Sequence, residues 1–289
     1  MLTENIRIII EEALNDKVVD SHSVSGGCIN DSKIIVTKSD KNFFLKSNVK
    51  NPTDMFLKEA NGLRELRKPN VIRVPEVIYS DNELILLETI EPGKRRNDFF
   101  EDFGRKLAQL HKYNSNDYGF YENNYIGSTP QINVALPEEK NNWNEFYFNE
   151  RLMFQFKLAE KNGYSTDELR KSFGKLEEKI ESIVKPEKEI SSLLHGDLWG
   201  GNYILDETGS ACLIDPAVYY GNREADLAMT KLFGGFEYKF YAAYNEEYPF
   251  DTGYEYRESI YKLYHILNHL NLFGTSYYYQ ALNLIKYYL

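Results

Sequence analysis

Residues 195–202 read HGDLWGGN, and residues 203–215 continue YILDETGSACLID. The first stretch is either a glycine turn that happens to carry polar groups or one half of a reaction site, and the second stretch decides between them. YIL and ACLI have the apolar, β-branched character of two short strands around an ETGS turn, so the second stretch predicts a hairpin. Such a hairpin returns Asp215 towards Asn202, which lies five positions after Asp197. Glycines at 200 and 201 allow a close approach of backbone to ligand. Three short oxygen-bearing side chains, Asp197, Asn202 and Asp215, then converge. Hard oxygen donors in small number suit Mg²⁺, which completes its shell with water and phosphate oxygens.

The bulk properties limit what this site can serve. The chain has 289 residues, a net charge of −10, 42% hydrophobic and 27% charged residues. That length fits one two-lobed fold or two modest domains. Net acidity argues against nucleic-acid binding, which is built on cationic contacts to phosphate. The N-terminal apolar run, Ile8 to Ile10, is flanked by Arg7 and Glu11 and is too short for a leader or a membrane span. It reads as an amphipathic helix. Two cysteines, Cys28 and Cys212, make no disulfide framework. These features point to a cytoplasmic protein with neither membrane nor nucleic-acid partners.

Along the chain, VVDSHSV, KIIVTK and FFLKS read as strands. Residues 51–68 read as a helix with Asn51 as N-cap and Pro52 in its first turn. VPEVIYS and NELILLETI read as a second strand pair. EPGKRRND, rich in charge and turn formers, reads as a linker. Beyond it Phe99, Phe103, Leu107 and Leu110 share one helix face. Ser165 and Glu168 form a capping box, and Ile260, Leu263, Leu267 and Leu270 recur at helical spacing. The expected architecture is α+β and bilobal. Residues 1–90 form a small lobe with a five-stranded antiparallel sheet and one main helix; residues 91–289 form a larger, mostly helical lobe. A hinge near 88–94 and a ligand cleft between the lobes complete it.

The spacing around Asp197 repeats the catalytic segment of protein kinases, H-x-D-x-x-x-x-N with a metal-binding Asp further on. Here Asp215 stands thirteen residues after Asn202. Pro216-Ala217 replaces the usual Phe-Gly, which argues against a mobile activation switch. The upstream half is present in the right order. Lys46 ends the third strand, as the phosphate-binding lysine of kinases does, and Glu59 lies on the next helix as its partner, with Glu65 on the same helix. Gly26 and Gly27, in the first hairpin, either present N–H groups to a phosphate or simply turn the chain. Cys28 beside them is either a redox-sensitive thiol or an inert small residue. Glu88 and Ile90, at the apolar-then-hinge stretch, are the candidates for adenine-binding backbone.

HGDLWGGN followed by IDPAVYYGNREADLAMTKLFGGF resembles the signature of the fructosamine kinase (ketosamine-3-kinase) family. GGCIN, FFLK, MFLKEANGL, RVPEVI, IGSTPQ and FNERL fall in matching order, and the resemblance covers the chain from about residue 20. It implies the protein-kinase-like fold of the aminoglycoside phosphotransferases. It implies ATP-dependent phosphorylation of the sugar of ketosamines, free or on glycated protein, at the 3-hydroxyl. By position, Asp197 is then the catalytic base, Asn202 and Asp215 hold Mg²⁺, and Lys46 with Glu59 orients the phosphates of ATP. Asp226 resembles a buried anchor for the catalytic loop, and His195 also fixes that loop. Trp199 either stacks on the sugar or its amine-bearing arm or wedges into the core. The alternatives are a choline- or aminoglycoside-kinase-like enzyme of the same superfold and a non-catalytic scaffold. The state of assembly is a monomer or a dimer linked through Cys28.

Overall fold

The computed structural model describes residues 2–24, 31–48, 54–185, 188 and 190–289. Gly26, Gly27 and Cys28, the expected glycine turn of the first hairpin, lie outside the described residues, as do Asn51 and Pro52. The chain divides into two compact units. One comprises Met1–Asn97 with Ile204–Asp215, the other Asp98–Tyr203 with Pro216–Leu289.

The first unit begins with α1 (Glu4–Leu14), capped by the Thr3 hydroxyl, which accepts from the Ile6 N–H at 3.4 Å. Ile6 and Ile10, one turn apart, are its buried face. Next in the chain are β1 (Val18–Ser23), β2 (Asp31–Thr37), β3 (Asn42–Ser47), α2 (Met55–Arg67), β4 (Val77–Ser80) and β5 (Leu84–Glu88). Among the described residues these strands form one antiparallel sheet in the order β1-β2-β3-β5-β4. The expected sequence of three strands, a helix and two strands holds, as does the five-stranded sheet. Strand β5 is apolar and buried from Leu84 to Leu87, because it runs inside the sheet with neighbours on both edges. In β3, Leu45 joins Ile6, Ile10, Val18, Ile35, Leu84 and Leu86 in the core. Side chains alternate along a strand, so Lys46 is turned to the opposite face, across from Ser32 and Ile85. Within the described residues, helix α2 begins at Met55, after Asp54. That carboxylate makes no capping bond and pairs instead with Lys58 one turn on, at 3.6 Å.

The rest of the chain supplies α3 (Phe99–His111), β6 (Asn114–Ser115), β7 (Asn124–Ile126), β8 (Thr129–Gln131) and α4 (Trp143–Tyr147). A π-helical segment, Phe148–Met153, leads into α5 (Phe154–Lys161), α6 (Asp167–Glu177) and α7 (Ile180–Val184). Then come β9 (Ser191–Leu194), β10 (Tyr203–Leu205), β11 (Ala211–Leu213), β12 (Tyr219–Gly221), α8 (Glu224–Thr230), α9 (Tyr238–Glu247), α10 (Tyr254–Phe273) and α11 (Tyr278–Lys286). The expected stripes are buried: Phe99, Phe103, Leu107 and Leu110 in α3, and Ile260, Leu263, Leu267 and Leu270 in α10. The capping box expected at Ser165 is not formed. Thr166 is the N-cap of α6, its hydroxyl accepting from Leu169 N at 3.2 Å, and the Ser165 hydroxyl is buried without a partner. Two adjacent hydroxyl residues left the register of the cap open by one position, and the third residue after Thr166 is Leu169, so only half of the motif can form.

Strands β10 and β11 form the expected hairpin, and it clusters with the first unit. Leu213 N donates to the Arg73 carbonyl at 2.9 Å, and Gly93 N donates to the Asp206 carbonyl at 2.8 Å. The Arg73 guanidinium spans Glu88 and Glu207. Asp215, at the end of this hairpin, therefore travels with the sheet that carries Lys46. Among the described residues, no helix is long and apolar enough to cross a membrane.

Candidate active site

In the first unit, Lys46 Nζ donates to Glu59 Oε1 at 2.6 Å and also to Asp215 Oδ1. Strand β3, helix α2 and the β10–β11 hairpin thus deliver one group each to a single cluster. The lysine side chain is 11% exposed, Glu59 16% and Asp215 46%, so the cluster has a buried end and an open end at Asp215. Burial alone would lower the Lys46 pKa; the charges of Glu59 and Asp215 overrule it and raise it, keeping the ammonium charged. Glu59 is pushed up by its burial and by the Asp215 charge, with Lys46 pulling the other way. Glu65, the other acidic residue of α2, pairs with Lys68 at 2.7 Å, which resolves the choice in favour of Glu59 as the partner of Lys46.

In the second unit, the loop after β9 carries Asp197 and Asn202. The amide nitrogen of Asn202 donates to Asp197 Oδ2 at 2.9 Å and to the Asp197 carbonyl at 2.7 Å. That pair of bonds folds the glycine-containing loop back on itself and fixes the Asp197 carboxylate. His195 turns its ring inward, and its Nδ1 accepts from Asp197 N at 3.3 Å. Asp226 on α8 accepts from His195 N at 2.7 Å with Oδ2 and from Gly196 N at 2.8 Å with Oδ1. The expected anchor is therefore formed. Burial raises the Asp226 pKa, but the His111 bond and charge, the charge of His195 and the Gly196 N–H outweigh it, leaving the carboxyl below its ordinary range. Gly196 has φ +82, and a Cβ there would lie 1.9 Å from the Ala217 carbonyl. Trp199 is 37% exposed, with its ring edge-on to Phe233 at 6.0 Å; it is no wedge in the core.

Several supports were not legible in the sequence. His111, at the end of α3, is fully buried; Nδ1 bonds the Tyr244 hydroxyl at 2.8 Å and Nε2 meets Asp226 Oδ2 at 3.3 Å. The β7–β8 hairpin holds the segment after Asp215: Gln131 donates to the Ala217 carbonyl at 2.9 Å, and Asn124 to the Val218 carbonyl at 2.8 Å. Arg151, inside the π-helical segment, is buried. It donates to Asn133 Oδ1 at 2.7 Å and covers the Tyr219 ring at 4.1 Å. Tyr219 pairs with Leu194, the residue before the loop that carries Asp197. The only sequence signal for these groups is polarity inside apolar surroundings, which does not name a partner. Glu88 N donates to the Glu76 carbonyl at 2.9 Å, and its carboxylate takes Arg73 and the Glu76 N–H; Ile90 comes two residues later, half-buried.

These two clusters sit on an α+β, protein-kinase-like fold. The ADP-bound aminoglycoside phosphotransferase APH(2'')-Ib shares that fold with a TM-score of 0.64 at 15% identity, over 99% of this chain and 98% of that one. The fructosamine kinase family model matches residues 1–289, and the chain belongs to that family. It is 38% identical to the chloroplastic protein-ribulosamine 3-kinase of Oryza sativa subsp. japonica over 97% of this chain and 82% of that protein. A crystal structure from Thermobifida fusca YX-ER1, provisionally named a fructosamine-3-kinase, superposes with a TM-score of 0.88 at 27% identity over 99% of both chains. The resemblance read from the sequence motifs therefore holds, and the protein is a phosphotransferase rather than a scaffold.

Proposed function

We propose that this enzyme transfers the γ-phosphoryl group of ATP to the 3-hydroxyl of the sugar in ketosamines, ribulosamines or fructosamines, free or carried on glycated protein, in the cytoplasm. The bond from Asn202 to Asp197 Oδ2 at 2.9 Å carries the reading. A carboxylate so oriented, on a loop anchored from below by Asp226, is the group to align an acceptor hydroxyl and take its proton. Lys46, kept charged by Glu59 and Asp215, is the cation for the phosphates, and residues 88–94 are the hinge that holds the adenine. The names of the family relatives support the choice of acceptor.

The donor set fits Mg²⁺. Asn202 commits its amide nitrogen to Asp197, which leaves its carbonyl oxygen as the atom for a cation, and Asp215 offers a half-exposed carboxylate. Both are the hard oxygens this ion takes. When bound, the ion supplies positive charge against the transferring phosphoryl oxygens.

The test is ATP consumption with ribulosyl-lysine and fructosyl-lysine, set beside choline and an aminoglycoside. Turnover on the ketosamines that disappears in Asp197→Ala, while that variant still binds ATP, is the expected result. Turnover confined to choline or the aminoglycoside, or retained by Asp197→Ala, overturns the reading.

A further inference from the structure

The first unit contains a cavity of about 480 Å³ that none of Lys46, Glu59 and Asp215 lines. Its wall is drawn from the connection between α2 and β4, with Arg67 at the end of α2 and Glu88 at the end of β5 closing it. The sequence gives this connection a fixed shape. Asn70 takes a left-handed φ of +52, which asparagine tolerates better than most side chains, and its N–H closes on the Arg67 carbonyl at 3.0 Å. Pro69 and Pro75 each lock one backbone angle. Ile72 and Val74, both buried, and half-buried Val71 give the cavity an apolar side. Its size falls in the range of small-molecule sites.

The polar groups around it divide into committed and open ones. Arg73 spans Glu88 and Glu207, and the second Glu88 oxygen accepts from Glu76 N at 3.1 Å. Those two side chains are satisfied. Arg67 donates from Nη1 to the Val74 carbonyl at 3.1 Å, which leaves most of the five guanidinium donors open. Among the described residues, the Glu76 carboxylate and the Asn70 amide make no hydrogen bond or ion pair. One cation and one anion, both exposed, therefore face the same apolar hollow. An inorganic anion would meet the charges of Glu76 and Glu88 as well as that of Arg67. A zwitterion answers both open groups.

We infer that this cavity binds a free α-amino acid with an apolar side chain, its carboxylate on Arg67, its ammonium on Glu76 and its side chain against Val71, Ile72 and Val74.

Occupancy reaches the phosphate and adenine groups because the walls belong to the elements that carry them. Helix α2, which ends at Arg67, also bears Glu59. Glu88 N donates to the Glu76 carbonyl at 2.9 Å where the hinge begins. The Arg73 carbonyl accepts from Leu213 N at 2.9 Å, two residues before Asp215. An amino acid held across Arg67 and Glu76 stiffens the connection on which all three rest, and so favours ATP. This coupling rests on the ATP-binding reading above; the binding itself does not.

The test titrates the full chain with L-leucine by calorimetry, with and without a non-hydrolysable ATP analogue and Mg²⁺. A dissociation constant of about 1 mM or tighter is expected. It should weaken about tenfold or more in Arg67→Gln and in Glu76→Gln, as when one charged hydrogen bond is lost. The analogue should tighten leucine binding about fivefold or more, and leucine should tighten the analogue by the same factor, because coupling is reciprocal. 4-Methylpentanoate and 3-methylbutylamine, which each keep one of the two charges, should bind about tenfold more weakly than leucine. No heat from leucine at about 10 mM, equal binding of 4-methylpentanoate or inorganic phosphate, or unchanged affinity in both variants overturns the amino-acid site. Leucine binding that the analogue leaves unaltered overturns the coupling. Failure to phosphorylate ketosamines would alter neither result.

Discussion

The Asp226 carboxylate accepts from the backbone N–H groups of His195 and Gly196, at 2.7 and 2.8 Å, so a helix some thirty residues downstream sets the path of the loop that presents Asp197. Both donors are buried, and so is the acceptor. Asp226→Ala would leave two N–H groups and His111 without their shared partner. Each bond to a buried charged group contributes about 1.5–3 kcal/mol, so the variant should lose roughly 3–5 kcal/mol in urea denaturation and most of its kcat. A loss below about 1 kcal/mol would mean that the loop keeps its path without the anchor.

Gly196→Ala is expected to be severe although it adds a single carbon. The added Cβ would fall 1.9 Å from the Ala217 carbonyl, which is backbone, and the residue has φ +82. Ala217 N in turn donates to the His195 carbonyl at 2.9 Å, so the two strands of chain cannot separate without losing that bond. A fall of about 2 kcal/mol or more in stability is expected from strain of this kind, with activity falling alongside. Wild-type melting temperature in the variant would contradict the geometry.

Lys46→Met removes the cation from between Glu59 and Asp215. The two carboxylates then repel, and Glu59, already pushed upward by burial, takes up a proton. Activity should fall about a hundredfold or more, as when one preorganised electrostatic donor is lost, with near-wild-type circular dichroism. Lys46→Arg should not restore activity, because a planar guanidinium cannot replace a compact ammonium between two acceptors.

Acid should destabilise the fold before it protonates most carboxylates. Burial holds His111 below its ordinary value of 6.5 and takes His265 down to about 3. The unfolded chain then binds protons that the folded chain refuses. The stability is complete above 6.5 and falls with pH below it, for His265 until about 3, at about 1.4 kcal/mol per pH unit for each group. Asp226, held below 3.8, adds a loss of the same sign at lower pH. Urea midpoints at about pH 7.5, 6 and 5 should drop steadily, and His265→Leu should flatten the decline. An equal slope in that variant would remove His265 from the account.

The chemistry-bearing positions were legible because each lies in a short local pattern. The strand that carries Lys46 shows as a short apolar run, Phe43 to Leu45, and the spacing from Asp197 to Asn202 is fixed by one loop. The paired helix of Glu59 and the β10–β11 hairpin of Asp215 also show in turn residues and apolar runs. The N-cap of α6 was missed by one position, because Ser165 and Thr166 offer the same hydroxyl chemistry and only packing selects between them.

The sequence by itself therefore determined the order of elements, the family and the identities of the candidate catalytic groups, all of which come from spacing along the chain. Tertiary structure decided what holds those groups still. His111 meets Asp226 across more than a hundred residues, Gln131 reaches the Ala217 carbonyl, and Arg151 covers Tyr219 beside the strand that precedes the loop. It also turned Trp199 outward and joined it to Phe233 and His269. Such partners are chosen by which buried polar groups would otherwise go unpaired, and that choice exists only once distant segments have packed together.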